Sequence, residues 1–90
     1  MTQQRQVRPR PTKTIFDPGY IRLIEHLRAR RIERGMTQDH VAKEMGVVRI
    51  FVVRCEQKER RLDICELRRW MNVLGLRWGD VEAVLAGERR

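Results

Sequence analysis

Acidic residues, cysteines and long apolar runs are what this chain has least of, and each shortage excludes something. Twelve Asp and Glu stand against 20 Lys and Arg, leaving a formal charge of +8 and a pI near 11.0. A surplus of that size asks for a polyanionic partner. No apolar run approaches the roughly 20 residues of a membrane-spanning helix, and the start lacks the apolar stretch of a secretory signal. The expectation is therefore a cytoplasmic chain with no membrane partner, and nucleic acid is the better candidate polyanion. Cys55 and Cys65 have no second Cys or His at a chelating interval, so neither a disulfide framework nor a zinc site is indicated. His26 and His40 fall in helical sequence with no Cys or nucleophilic Ser pattern around them. Without a nucleophile–base pair, a phosphate loop or a metal set, the residues point away from an enzyme and require no cofactor. Ninety residues amount to one small domain, which buries only about 60% of its unfolded surface and has no room for a large active-site cavity.

The chain divides by composition. Residues 1–14 carry Arg5, Arg8, Arg10 and Lys13, two prolines and no acid, a mixture that cannot bury enough apolar surface to fold. They read as a disordered basic arm, suited to lie along phosphates or in a minor groove, or simply to solubilise. Residues 15–87 read as one folded domain and 88–90 as a charged end.

Helix punctuation recurs through that domain. Asp17 followed by Pro18 makes an N-cap with proline at the first helical position, and Phe16 with Ile21 has the spacing of a hydrophobic staple. Ile21, Ile24, Leu27, Arg28 and Ile32 then recur at helical steps until Gly35, predicting a first helix over 18–34. Thr37 caps a short second helix, with Met36 and Val41 at staple spacing, that Gly46 ends. The window 48–57 is ambiguous, because Val47, Val48, Ile50, Phe51, Val52 and Val53 favour a strand by propensity. Asp63 and Glu66 form a capping box for a fourth helix whose inward side is Ile64, Leu67, Trp70, Met71 and Leu74, closed by Gly75. A last helix over 78–86 sets Trp78, Val81 and Leu85 on one side, and both tryptophans read as core. Five short helices with short connections give an all-α bundle.

The ordered set Gly35-Met36-Thr37-Gln38-Asp39-His40-Val41-Ala42, Gly46-Val47 and Arg54-Cys55-Glu56 resembles the Cro/repressor (Xre) family of helix-turn-helix proteins. The stretch Glu59-Arg60-Arg61-Leu62-Asp63 with Glu66-Leu67 is similar to the continuation found in one bacterial and phage branch. The resemblance runs from Tyr20 to about Leu85. It implies a five-helix lambda-repressor-like bundle, a third helix over 48–57, and a transcriptional regulator, in particular a repressor, that binds double-stranded DNA as a homodimer in the nucleoid.

On a helix over 48–57, Phe51, Val52 and Cys55 point to one side, while Arg49, Ile50, Val53, Arg54 and Gln57 share an arc of about 140° on the other. The resemblance makes the second set the base-contacting face in the major groove. Arg49 and Arg54 would pair with guanine O6 and N7, Ile50 and Val53 would meet thymine methyls, and Gln57 would reach a base edge or a phosphate. It assigns Thr37 and Gln38 to the sugar-phosphate backbone, with Lys58, Arg60 and Arg61 facing adjoining phosphates. It also joins Arg31 to Glu56 in a structural salt bridge. The chain departs from the family at Val48, Ile50 and Val53, where small polar residues are usual, and at Lys58, where glycine is frequent. That apolar strip opens a second reading, an antitoxin or anti-activator that docks a protein through Val48, Ile50 and Val53.

Overall fold

The computed structural model of the chain describes residues 14–87. A short 3-10 turn, Thr14–Phe16, leads into five helices: α1 Pro18–Glu33, α2 Gln38–Met45, α3 Arg49–Glu56, α4 Ile64–Leu74 and α5 Trp78–Leu85. The described residues contain no strand, so the domain is all-α. No described helix is long and apolar enough to cross a membrane. Thr14, read as the end of the basic arm, opens the 3-10 turn; the rest of the arm and the 88–90 end lie outside the described residues.

Local chemistry sets the helix ends. The Asp17 carboxylate accepts the N–H groups of Gly19 and Tyr20 at 2.8 and 3.2 Å, and Thr37 Oγ1 accepts that of His40 at 3.0 Å, so both caps neutralise otherwise orphaned donors. Asp63 and Glu66 exchange bonds reciprocally: the Glu66 N–H donates to Asp63 at 2.7 Å and the Asp63 N–H to Glu66 at 3.0 Å. Gly35, Gly46 and Gly75 hold left-handed backbone after α1, α2 and α4. α3 stops in the same way without a glycine. Lys58 takes φ 63°, its N–H reaches the Cys55 carbonyl at 3.0 Å, and the Glu59 N–H reaches that of Arg54 at 2.9 Å, the reciprocal closure of a Schellman turn.

Ile24, Leu27, Val41, Val52, Cys55, Trp70 and Leu74 form the fully buried centre. Val52 and Cys55 decide the ambiguous window: their burial against α1 and α2 outweighs the strand propensity of a β-branched run. Elsewhere the buried stripes differ from those read by hydropathy. α1 turns inward Tyr20, Leu23, Ile24, Leu27 and Arg31, while Ile21 is half-buried and Arg28 and Ile32 are exposed. The stripe is displaced because two of its members are amphipathic and have internal partners: the Tyr20 hydroxyl accepts the Leu62 N–H at 2.9 Å, and Arg31 is paired with Glu56. Phe16, expected as a staple, is exposed, and Ile15 packs on the core in its place. Ile64 is also exposed, since the first residue of a helix has no preceding turn to lie upon. On α5, Val81 and Ala83 are buried while Trp78 and Leu85 are half in solvent; of the two tryptophans, only Trp70 is core.

α3 therefore carries two local defects. Val48 occupies its N-cap position with no side-chain oxygen to offer, and Lys58 bears a Cβ in left-handed backbone. Val48→Ser and Lys58→Gly should each stabilise the domain by about 1 kcal/mol, with nearly additive effects in urea denaturation. A loss of stability on either change would show that the side chain, and not the backbone, governs that end of the helix.

Candidate nucleic-acid interface

α2 and α3 are eight-residue helices joined by a tight turn at Gly46, and the turn alone does not fix their relation to α1. A buried ionic cluster does. Arg31 Nε donates to Glu56 Oε2 at 2.7 Å and Nη2 to Oε1 at 2.9 Å, while Nη1 donates to the Met36 carbonyl at 2.8 Å. Gln38 Nε2 completes the cluster with a bond to Glu56 Oε1 at 3.0 Å. One carboxylate on α3 thus gathers α1 and the start of α2, with Arg31 and Glu56 only 8% and 6% exposed. A forked, fully hydrogen-bonded pair is the geometry that tolerates such burial.

With its inner side seated, α3 presents the opposite side outward. Arg49, Ile50, Arg54 and Gln57 are exposed, and Val53 is half-buried. Among the described residues, Arg49 and Arg54 have no ion-pair partner, so both guanidiniums keep their donor forks open. The apolar strip is unequal: Val48 is 67% and Ile50 52% exposed, whereas Val53 is partly covered.

The residues expected near phosphates divide more sharply. The Thr37 hydroxyl is committed to its cap and the Gln38 amide to Glu56, which leaves Thr37 able to offer its remaining O–H. Lys58 Nζ lies 3.8 Å from Glu25 on α1, and Arg61 is exposed. Arg60, expected to face a phosphate, instead forks onto the Glu66 carboxylate at 3.0 and 3.2 Å and lies with its guanidinium carbon 4.5 Å from the centre of the Phe51 ring. The Glu66 hydrogen bond raises the Arg60 pKa further.

Several arginines missed by sequence reading serve as helix caps. Arg22 donates to the Val84 and Leu85 carbonyls at 3.0 and 2.8 Å, at the carboxyl end of α5. Arg30 and Arg34 both reach the Leu74 carbonyl at the end of α4, at 3.5 and 3.3 Å. Cations at these positions also complement the helix dipole. Their only sequence signal is the presence of arginine at four- and eight-residue spacings along α1, which cannot reveal a carbonyl 40 to 63 residues away in the chain. The two thiols also differ. Burial pushes Cys55 up to about 11, against the pull of Arg60, so it stays a protonated core residue; Cys65 is exposed.

A separate apolar face lies at the junction of α4 and α5, where Ile64, Trp78 and Leu85 flank an open groove floored by Leu67 and Val81. Among the described residues no cluster of His, Cys, Asp and Glu is arranged to hold a metal ion. No protein-family model matches the chain, and no curated protein sequence matches it.

The ionic cluster yields a two-part expectation. Glu56→Ala should cost about 3–5 kcal/mol in chemical denaturation, because it leaves the Arg31 charge buried and unpaired. Replacing both partners by apolar residues, Arg31→Met with Glu56→Leu, should cost less than either single change. A double variant as unstable as the sum of the singles would show that the two side chains act independently.

Proposed function

We propose that this chain is a sequence-specific double-stranded DNA-binding regulator of the Cro/repressor (Xre) type, acting as a repressor. In this reading α2, the Gly46 turn and α3 form the helix-turn-helix of a lambda-repressor-like bundle, and α3 enters the major groove. One observation carries it: Arg49 and Arg54 stand exposed, without an ion-pair partner among the described residues, on the outward arc of a helix whose other side is locked to α1 and α2. Open guanidinium forks on a rigid helix suit guanine edges, and Ile50 beside them suits a thymine methyl. Gln57 at the helix end, with half-buried Val53, completes the base-facing set. Thr37, Gln38, Lys58 and Arg61 border that face, where bases and helix N-termini favour phosphate.

The test is a binding titration on fragments of the native genome at several salt concentrations. The reading expects one or a few fragments to bind far more tightly than the rest, with log K falling by about 0.9 per log unit of salt for each phosphate neutralised. On the preferred fragment, Arg49→Ala and Arg54→Ala should each cost about 1–3 kcal/mol. Equal affinity for every fragment, or a flat salt response, would remove the regulator reading. It would favour the antitoxin or anti-activator alternative, which the exposure of Val48 and Ile50 supports.

The homodimer that the resemblance implies belongs to this proposal. Its half-sites would lie about 34–36 Å apart. Among the described residues no basic side chain lines the groove beside Trp78, so two copies of a chain charged +8 meet there with little repulsion. Ile64 and Leu85 also border a second hollow lined by Tyr20, Leu23 and Leu62. Ridge and hollow side by side are what an isologous two-fold contact requires. Sedimentation equilibrium should find a dimer that Trp78→Glu dissociates without unfolding the domain; a wild-type monomer at every concentration, with or without DNA, would contradict it.

A further inference from the structure

The run Lys58, Arg60, Arg61 after α3 looks like three equivalent phosphate-seeking bases, yet the three are held in unlike ways. Arg61 is exposed and Lys58 leans toward Glu25 across a loose 3.8 Å contact. Arg60 is exposed too, but its guanidinium is held by its own protein. Its Nη1 and Nη2 fork onto the two oxygens of Glu66, Nη1 also donates to the Arg61 carbonyl at 2.8 Å, and its flat face covers Phe51. Its backbone N–H points to the Arg54 carbonyl at 3.4 Å. The partner carboxylate is fixed in turn, because Glu66 Oε1 accepts the Asp63 N–H and Glu66 sits in the first turn of α4.

We propose that Arg60 is a positioning residue for the reading helix: it clamps the Phe51 side of α3 to the first turn of α4 through Glu66, and so sets the angle at which Arg49 and Arg54 leave the surface. This inference rests on the DNA-reading function proposed above and deepens it. The physical reason is neutralisation. A guanidinium already paired in a fork with a carboxylate carries little net charge toward a phosphate, and binding one would first require Glu66 to be displaced and left unpaired. Stacking on an aromatic face adds an orientation that a phosphate contact would not need. Phe51 belongs to α3 and Glu66 to α4, so the one side chain couples the reading helix to the element behind it. Lys58 and Arg61 are left as the phosphate-facing bases of the loop.

Arg60→Ala, Arg60→Lys, Arg61→Ala and Glu66→Gln, compared on the preferred fragment and on a scrambled one across a salt series, separate the two roles. As a positioning residue, Arg60 should leave the salt slope unchanged when replaced by Ala, while preference for the specific fragment falls roughly tenfold, the scale of one misaligned base contact. Glu66→Gln should reproduce that loss, and Arg60→Lys should not rescue it, since an ammonium has no fork. Arg61→Ala should lower the slope by about 0.9 and weaken both fragments alike. The proposal is overturned if Arg60→Ala itself lowers the slope by about that amount and Arg60→Lys restores it. It is equally overturned if Glu66→Gln, by freeing Arg60, steepens the slope and tightens binding to both fragments. Hydrogen exchange on the same variants without DNA keeps the clamp distinguishable from the DNA reading. Glu66→Gln should speed exchange over residues 51–57 even if no fragment is preferred, and unchanged exchange there would refute the clamp by itself.

Discussion

A buried carboxylate governs the arrangement. Glu56 on α3 accepts from Arg31 of α1 twice and from Gln38 of α2 once, and Arg31 also satisfies the Met36 carbonyl before α2. Two charges removed from water are costly unless each donor and acceptor is met, and here one geometry meets them. A three-residue connection with a left-handed glycine permits many angles between α2 and α3; the ionic cluster restricts them to those that keep both Glu56 oxygens occupied. The outward direction of Arg49 and Arg54 is a consequence of that restriction, because the helix that carries them cannot rotate without breaking the fork.

Placement of the arginines, more than their number, carries the functional signal. Arg22, Arg30 and Arg34 turn toward the carboxyl ends of α4 and α5, where they satisfy carbonyls left without intrahelical partners. Arg31 is buried in the ionic cluster, and Arg60 holds Phe51 and Glu66. What remains open on α3 is the pair Arg49 and Arg54. A net charge of +8 therefore overstates the attraction available at the proposed groove-facing side. Among the described residues no base lines the apolar groove at Trp78, and Arg22 is drawn onto the end of α5 beside it.

Much of the fold is legible in the sequence, and its legible parts are those with local causes. Asp17-Pro18, Thr37, Asp63 with Glu66, and the glycines at 35, 46 and 75 mark helix limits through bonds spanning a few residues. The helical state of α3 was not local. Its β-branched residues argue for a strand, and only the resemblance of the surrounding motif pointed to a helix; burial of Val52 and Cys55 shows why it forms. The inner stripe of α1 was displaced by one position because Tyr20 and Arg31 carry polar groups at their tips, yet each is buried through a partner far along the chain. The pairing of Arg60 with Glu66 and Phe51 was equally hidden. Nothing in a run of bases shows that one of them faces a carboxylate and a ring. The edges of the bundle, at Phe16, Ile64, Trp78 and Leu85, were misplaced inward because periodicity records which side of a helix a residue occupies but not whether another helix covers it there.

The most direct measurement of the central claim is amide chemical-shift mapping of the labelled chain titrated with its preferred DNA fragment. The account expects the largest changes along residues 49–57 and at the start of α2, with Arg49 and Arg54 side-chain resonances becoming protected. Changes confined to the Ile64, Trp78 and Leu85 face, or guanidinium resonances at 49 and 54 that stay fully solvent-exposed at saturation, would contradict it.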